Sequence, residues 1–417
     1  MRKTVKEKLS TGLPFFLIPL IGLVASCASP MEPSDPAISA QLAGPQKAAV
    51  NAWSFVRSIT INHGLVPHTD QSNFPVLVSG TFNNKNGTPD LRTKANGGKV
   101  QNANGYDVGF YTDPHCLTGK LSWETEKYNA QTGEVAYWVN VPSVSHTKNT
   151  VINICYGNAS ITTDQSSAAA VWDSNYLAVW HLADKGGLDL SSSTANPFTL
   201  TQSGSVTSAP GKIGGGTTKF LDKTYYLFNP DISIGADAPV TVSMWKKLLS
   251  SDVNGNPDAP PPETDGNHIA FEMGASHSTP NSIILWAPYF QGDPVDGGTW
   301  WCYNSCGVAR VDYSGYLDRW VYITGIYNPA ANRLQALYLD GNLVGSGSGG
   351  PTTTETVLGA RIGQGLDGDG SVHGEDVSQF DEVRISTSVR SADWIKTEFN
   401  NQNKPSSFYA VGGEKHP

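Results

Sequence analysis

Hydrophobic residues along this chain recur mostly with period two rather than with helical spacing. Val240-Thr-Val-Ser-Met-Trp245 is the cleanest case, since strict alternation places Val240, Val242 and Met244 on one face of a strand. Comparable runs begin at Trp53, Phe74, Tyr106, Leu121, Val135 and Thr150, and again at Tyr176, His268, Ser282, Trp320 and Leu334. Asn-Gly, Pro-Asp, Asp-Pro and Thr-Gly pairs stand between the earlier runs, and Asp340-Gly341-Asn342 predicts a tight hairpin. Many short strands separated by turn signals predict all-β sandwiches rather than a parallel, helix-covered sheet. One short helix is predicted near the C-terminus: Ser391 can cap it, Asp393 suits its first turn, and Ile395 and Phe399 share a face.

The N-terminus breaks this pattern. Arg2, Lys3, Lys6 and Lys8 precede an apolar stretch from Leu13 to Ala25, interrupted by Pro14 and Pro19 and followed by Ser26-Cys27. A membrane span would need about 20 apolar residues. The Val24-Ala25-Ser26-Cys27 arrangement resembles the lipobox of bacterial lipoproteins, which implies a signal peptide over residues 1–26, export, and lipidation of Cys27 as the membrane anchor. Residues 27–50, rich in Ala, Ser, Pro and Gln, read as a flexible tether. Ala28 stands where well-known inner-membrane lipoproteins carry aspartate, so the resemblance favours the outer membrane or cell surface.

Export changes how the charges and cysteines are read. Residues 1–26 carry four basic residues against Glu7, so their removal takes the formal charge from −9 to −12. With no basic run outside the leader, the chain is unsuited to nucleic acid, whose phosphates need concentrated Lys and Arg. With Cys27 lipidated, Cys116, Cys155, Cys302 and Cys306 remain; an oxidising compartment favours disulfides, with three pairings open. Cys116 with Cys155 and Cys302 with Cys306 are favoured because each pair lies within one expected domain. Zinc at Cys302 and Cys306 is the weaker reading, because no second cysteine or histidine cluster has ligand spacing.

Two further resemblances cover most of the remaining chain. Phe74-Pro-Val-Leu-Val, Asp107-Val-Gly-Phe-Tyr, Trp138-Val-Asn-Val-Pro and Cys155-Tyr-Gly-Asn resemble a bacterial domain of unknown function, expected over residues 51–170. Leu188-Asp-Leu-Ser, Lys219-Phe-Leu-Asp, Val240 to Trp245, Leu337-Tyr-Leu-Asp-Gly341 and Phe380-Asp-Glu-Val-Arg-Ile385 resemble a laminin-G-like jelly roll of the concanavalin A-like lectin and glucanase superfamily, expected over residues 171–417. The resemblance implies two β-sandwich domains and leaves activity open, because function lies in sites grafted on such folds.

Glycosidases of this superfamily use strand-borne carboxylates, yet no Glu-x-Asp-x-x-Glu signature occurs. Glu124 and Glu126 are the nearest match, and they read as the solvated acidic face of a half-buried strand. No Gly-x-Ser-x-Gly elbow or His-Glu-x-x-His helix is present. His181 lies in an apolar strand and reads as a satisfied structural histidine.

Calcium is the one cofactor the residues suggest. Asp367, Asp369 and Glu375 lie in an oxygen-rich segment that is not an EF-hand, since Val372 and Ser378 occupy the sixth and twelfth positions. Asp189 and Asp381 occupy motif positions that often lie near a structural cation in related jelly rolls; solvated acidic turns are the alternative. Glycan binding is suggested by Trp286, Tyr289, Trp300, Trp301 and Tyr303, whose rings can pack on sugar C–H faces near Gln291, Asp293 and Asn304. Consecutive Trp300 and Trp301 on a strand must point to opposite faces; a hairpin whose outward tryptophan packs on a neighbouring loop is the alternative. No catalytic residue is assigned. The chain reads as a non-enzymatic envelope lipoprotein that binds glycan or mediates adhesion or assembly, with a polysaccharide-cleaving glycoside hydrolase or a purely structural envelope protein as alternatives.

Overall fold

The computed structural model describes residues 52–417 except 86, 184–186, 223, 253–267, 275–281, 290–297, 304–312, 349–355 and 367–371. The predicted leader, Cys27 and the tether lie outside the described residues. The first sandwich begins with β1 (Phe55–Ile61), β2 (Gln71–Thr81), β3 (Val108–Tyr111), β4 (Trp123–Tyr128), β5 (Glu134–Val144) and β6 (Thr150–Tyr156). One sheet has the order β2-β5-β4, and the facing sheet contains β1-β6-β3. Ile59, Phe110, Ile152 and Ile154 from one sheet pack against Val76, Val78, Trp123, Tyr137 and Val139 from the other, as the alternating pattern requires. Cys116 and Cys155 form a disulfide with Cα atoms 6.4 Å apart, tying β6 to the loop after β3.

The second sandwich is a jelly roll of two six-stranded sheets. Its strands are β7 (Tyr176–Trp180), β8 (Thr201–Ser203), β9 (Tyr226–Ile234), β10 (Val240–Lys247), β11 (Ile269–Met273), β12 (Ile283–Tyr289), β13 (Gly298–Tyr303), β14 (Trp320–Asn328), β15 (Leu334–Leu339), β16 (Asn342–Ser348), β17 (Val357–Ile362) and β18 (Gln379–Ser386). One sheet has the order β13-β12-β11-β17-β9-β8 and the other β16-β15-β14-β10-β18-β7. Val240, Val242 and Met244 enter the core between them with Phe271, Met273, Ile283 and Leu285. Asp340 and Gly341 join β15 to β16 with φ of 51° and 69°, the left-handed pair that matches the twist of a two-residue hairpin.

The last residues return to the first sandwich. Ser391 caps α1 (Ala392–Asn403) by accepting from the Trp394 N–H. The helix lies across the outer face of the second of these sheets: Ile395 packs on Ile326, Ala336 and Tyr338, and Gln402 accepts from Trp245 Nε1 at 2.7 Å. After α2 (Pro405–Phe408), β19 (Tyr409–Val411) pairs with the free edge of β1, setting Tyr409 opposite Ile61. Residues 409–411, expected within the second domain, are therefore a strand of the first. The physical cause is the path of α1, whose Asn401 side chain exchanges two hydrogen bonds with the Leu77 backbone of β2.

Candidate functional site

The outer face of β2-β5-β4 packs against the outer face of the sheet containing β10, β18 and β7. Trp245 and Tyr322 from that sheet are buried in the cluster that also holds Trp138 and Trp172. Polar side chains gather at this seam because two bulges face each other across it. On β4 the ladder shifts between Thr125 and Lys127, so Glu126 is the extra residue. Glu124, paired opposite Trp138, and Glu126, which accepts from Trp138 Nε1 at 2.8 Å, thus flank the same indole. On β18, Ser243 pairs with Arg384 but Trp245 pairs with Asp381, so Glu382 and Val383 together oppose Met244, and Glu382 adopts a φ of 55°. Phe380, Val383 and Ile385 keep their places in the jelly-roll core. Two consecutive acids, Asp381 and Glu382, consequently leave the core side together with Arg384.

His181, directly after β7, connects the two bulges. Its Nδ1 lies 2.7 Å from Glu382 Oε1 and 3.7 Å from Glu126 Oε2, while its Nε2 lies 3.1 Å from Glu124 Oε2. Glu124 also accepts from Trp172 Nε1 at 2.9 Å and from Ser193 Oγ at 2.5 Å. Arg384 donates to Glu382 Oε2 at 2.6 Å and to Glu398 Oε1 of α1 at 3.1 Å, with its guanidinium 4.5 Å and 4.8 Å from the ring centres of Trp138 and Trp172. Tyr176 and Tyr322 donate their hydroxyls to Glu398. None of Glu124, Glu126, His181, Asp381, Glu382, Arg384 or Glu398 is more than 4% exposed.

Five carboxyl groups share this dry space with one imidazole and one guanidinium. Burial, then the charge of Glu382, pushes the Glu126 carboxyl up to about 8. Burial, then Glu382 and Glu126, pushes Asp381 well above the carboxylate range. At Glu124 burial acts in the same direction, but the His181 charge and the bonds from His181, Ser193 and Trp172 outweigh it and hold the carboxyl low. Burial opposes a charged His181, yet Glu382 and Glu124 keep its pKa well above the ordinary imidazole value. Glu126 Oε1 and Asp381 Oδ1 are buried without a hydrogen-bond partner. Chemically, this arrangement can hold a proton or a cation; its burial denies a polymer access.

The solvated acidic face expected at Glu124 and Glu126 is corrected here. The second sandwich covers that face: Glu124 reaches it in regular register opposite Trp138, and Glu126, the extra residue of the bulge, stays on the same side and accepts from the Trp138 indole. His181 is buried with carboxylates at both ring nitrogens. Within Phe380-Asp-Glu-Val-Arg-Ile385 the sequence marks Asp381 as a cation candidate and the rest as a fold motif; Glu382 and Arg384 are site residues that it does not mark. The available signal was the three consecutive-or-nearby charges inside an otherwise apolar strand.

The aromatic candidates come together as β12 and β13, an edge ribbon of the other sheet, in which Trp286 pairs with Trp300, Leu285 with Trp301 and Ile283 with Tyr303; Tyr289 pairs with Gly298. Their side chains, and that of Cys302 on β13, lie outside the described residues, as does Cys306. Of the cation candidates, Asp367 and Asp369 lie outside the described residues, as does the Glu375 side chain on its short ribbon (Val372–Glu375). Asp189 is half-buried and accepts from the Ser191 N–H, 3.0 Å. Asp381 Oδ2 accepts from the Ile213 N–H at 2.8 Å. An open pocket of 340 Å³ on the first sandwich, lined by Val56, Thr112, Asn153 and Lys415 among others, gathers no carboxylate pair.

Residues 104–177 match the family model described as Domain of unknown function (DUF2341), and residues 221–396 match that of the Concanavalin A-like lectin/glucanases superfamily. The chain carries these two domains in this order. No curated protein matches it. Among solved structures, it is similar to domain 4 of AbnA, a GH43 extracellular arabinanase from Geobacillus stearothermophilus in complex with arabinotriose, at 19% identity over 54% of this chain and 98% of that one, with a TM-score of 0.37. The receptor binding domain of botulinum neurotoxin D aligns at 13% identity over 55% and 53% of the two chains, TM-score 0.41. The serotype D ligand binding domain in complex with N-acetylneuraminic acid aligns at 14% identity over 57% and 53%, TM-score 0.40. The chain thus spans about half the length of these neurotoxin chains.

Proposed function

We propose that the chain is a lipid-anchored envelope protein whose concanavalin A-like sandwich binds glycan through the β12–β13 ribbon. The observation that carries this reading is the match of residues 221–396 to a lectin and glucanase superfamily. Binding is favoured over cleavage because the clustered carboxylates of this sandwich are sealed beneath the first sandwich and α1, out of reach of a polysaccharide. The opposite sheet ends at β13, an edge strand bearing Trp300 and Trp301 next to Trp286 and Tyr289 on β12. Aromatic rings on such an edge supply flat apolar area for sugar faces. The first sandwich acts as a spacer or companion recognition module fixed to the lectin-like one, and Cys27 holds both at the outer membrane or cell surface.

A glycan array probed with residues 51–417 tests the reading. Binding that Trp300→Ala or Trp301→Ala abolishes, with the fold retained, supports it. Absence of binding to any glycan favours a purely structural envelope protein, and release of reducing ends from a polysaccharide favours the hydrolase. Calcium belongs to the reading as an ordering ion near Asp367, Asp369, Glu375, Asp189 or Asp381, and glycan binding unchanged by a calcium chelator removes it. Cys27→Ser is expected to release the protein from membranes, and continued retention counts against the lipid anchor.

A further inference from the structure

We propose that Glu126, His181 and Glu382 bind one divalent first-row transition cation, of the zinc or manganese class, which latches the two sandwiches together. Glu126 comes from the first sandwich and the other two residues from the second, so the ion would bridge the seam. Their donor atoms all lie within 4.8 Å of one another. One imidazole and two carboxylates form a mixed nitrogen and oxygen set that suits borderline divalent ions; calcium and magnesium prefer oxygen alone.

The groups around the triad are arranged as metal sites require. A ligating histidine normally donates its second ring N–H to a carboxylate, which fixes the ring and raises its basicity. His181 meets this condition: Nε2 lies 3.1 Å from Glu124 Oε2, leaving Nδ1 toward Glu382 and Glu126. Glu124 is itself held by Trp172 and Ser193, Glu126 Oε2 by Trp138, and Glu382 Oε2 by Arg384. An independent observation points to a missing positive partner. Glu126 Oε1 belongs to a residue that is 2% exposed and receives no hydrogen bond. Leaving such an oxygen unsatisfied is costly in a dry interior, and a cation held by the same carboxylate through Oε2, 3.7 Å from His181 Nδ1, would offset that cost. Asp381 Oδ1, on the residue next to Glu382, is likewise buried and unpartnered.

The test is metal content of the intact purified chain by inductively coupled plasma mass spectrometry after dialysis against metal-free buffer. About one zinc or manganese per chain is expected. Glu126→Gln and His181→Gln should each lose it, and Glu124→Gln, which alters only the orienting carboxylate, should weaken affinity roughly 10- to 100-fold. The wild-type chain is also unfolded with chelator and refolded with and without zinc or manganese, and the ion should raise the melting temperature in proportion to occupancy. A folded chain that carries neither metal and melts unchanged on their addition overturns the proposal and leaves protons as the neutralising partners. Calcium at one per chain, retained in His181→Gln, also overturns it, because the ion then sits elsewhere.

Discussion

Arg384→Met is the perturbation that most directly tests whether the seam is an electrostatic unit. The substitution keeps an unbranched apolar stem but removes a guanidinium that donates to Glu382 at 2.6 Å and to Glu398 at 3.1 Å. Glu398 retains the Tyr176 and Tyr322 hydroxyls, so its loss is partly covered. Glu382 keeps only His181. Breaking a buried pair from one side costs about 3–5 kcal/mol, because the remaining charge stays desolvated. Loss of the cation from the Trp138 and Trp172 faces adds roughly 0.5–2 kcal/mol. The expected total, about 3.5–7 kcal/mol, is a large share of a domain's stability of about 5–15 kcal/mol. Guanidinium denaturation followed by tryptophan fluorescence reads it directly, since Trp138, Trp172 and Trp245 all line this region. Adding Glu382→Gln to the variant should recover more than half of the loss by removing the orphaned charge. If Arg384→Met lies within about 1 kcal/mol of wild type, the pair behaves like a solvated surface bridge and the dry-seam reasoning is refuted.

Gly214→Ala should destabilise by about 1–3 kcal/mol, since φ is +53° and the added Cβ would sit 1.8 Å from Glu126 Oε1; an unchanged melting temperature argues against that approach. Reducing the Cys116–Cys155 bridge, which closes a 39-residue separation, should cost about 4 kcal/mol by chain entropy, measured as a lower denaturation midpoint with dithiothreitol. Asp173 accepts two 2.9 Å bonds from Arg390; burial raises its pKa, but the guanidinium outweighs burial and the folded value lies below 3.8. Its contribution is therefore complete above the unfolded pKa and lost as pH falls through the folded one, so Asp173→Asn should flatten the acid limb of stability below about pH 4.

The strands were legible because alternation is a local signal that burial on one face enforces. Val240, Val242 and Met244 lie where period two places them, and Ser391 caps α1 as its side chain predicts. The Cys116–Cys155 pairing was legible for a different reason, since both residues fall within one expected domain and the leader pattern made an oxidising compartment the expectation. Return of Tyr409–Val411 to β1 carries no comparable mark. Three residues contain too little pattern to name a partner, and the Ile61–Tyr409 register joins positions separated by most of the described chain.

The seam was illegible for a more specific reason. Period-two reasoning assumes an unbroken ladder, and both strands that build the seam break it at an acidic residue. On β18 strict alternation would send Asp381 and Glu382 to opposite faces, one of them into the jelly-roll core. The bulge instead carries both to the outer face while Phe380 and Val383 remain inside. No glycine announces this bulge: Glu382 itself holds the left-handed φ of 55°, a conformation disfavoured for a residue with a side chain. Such backbone is retained where surrounding contacts over-determine it, and here Glu382 is fixed by Arg384 on one oxygen and His181 on the other. The strain and the charge cluster thus have one origin. The same bulge that a sequence pattern cannot register is what lets an acid of the second sandwich face Glu126 of the first.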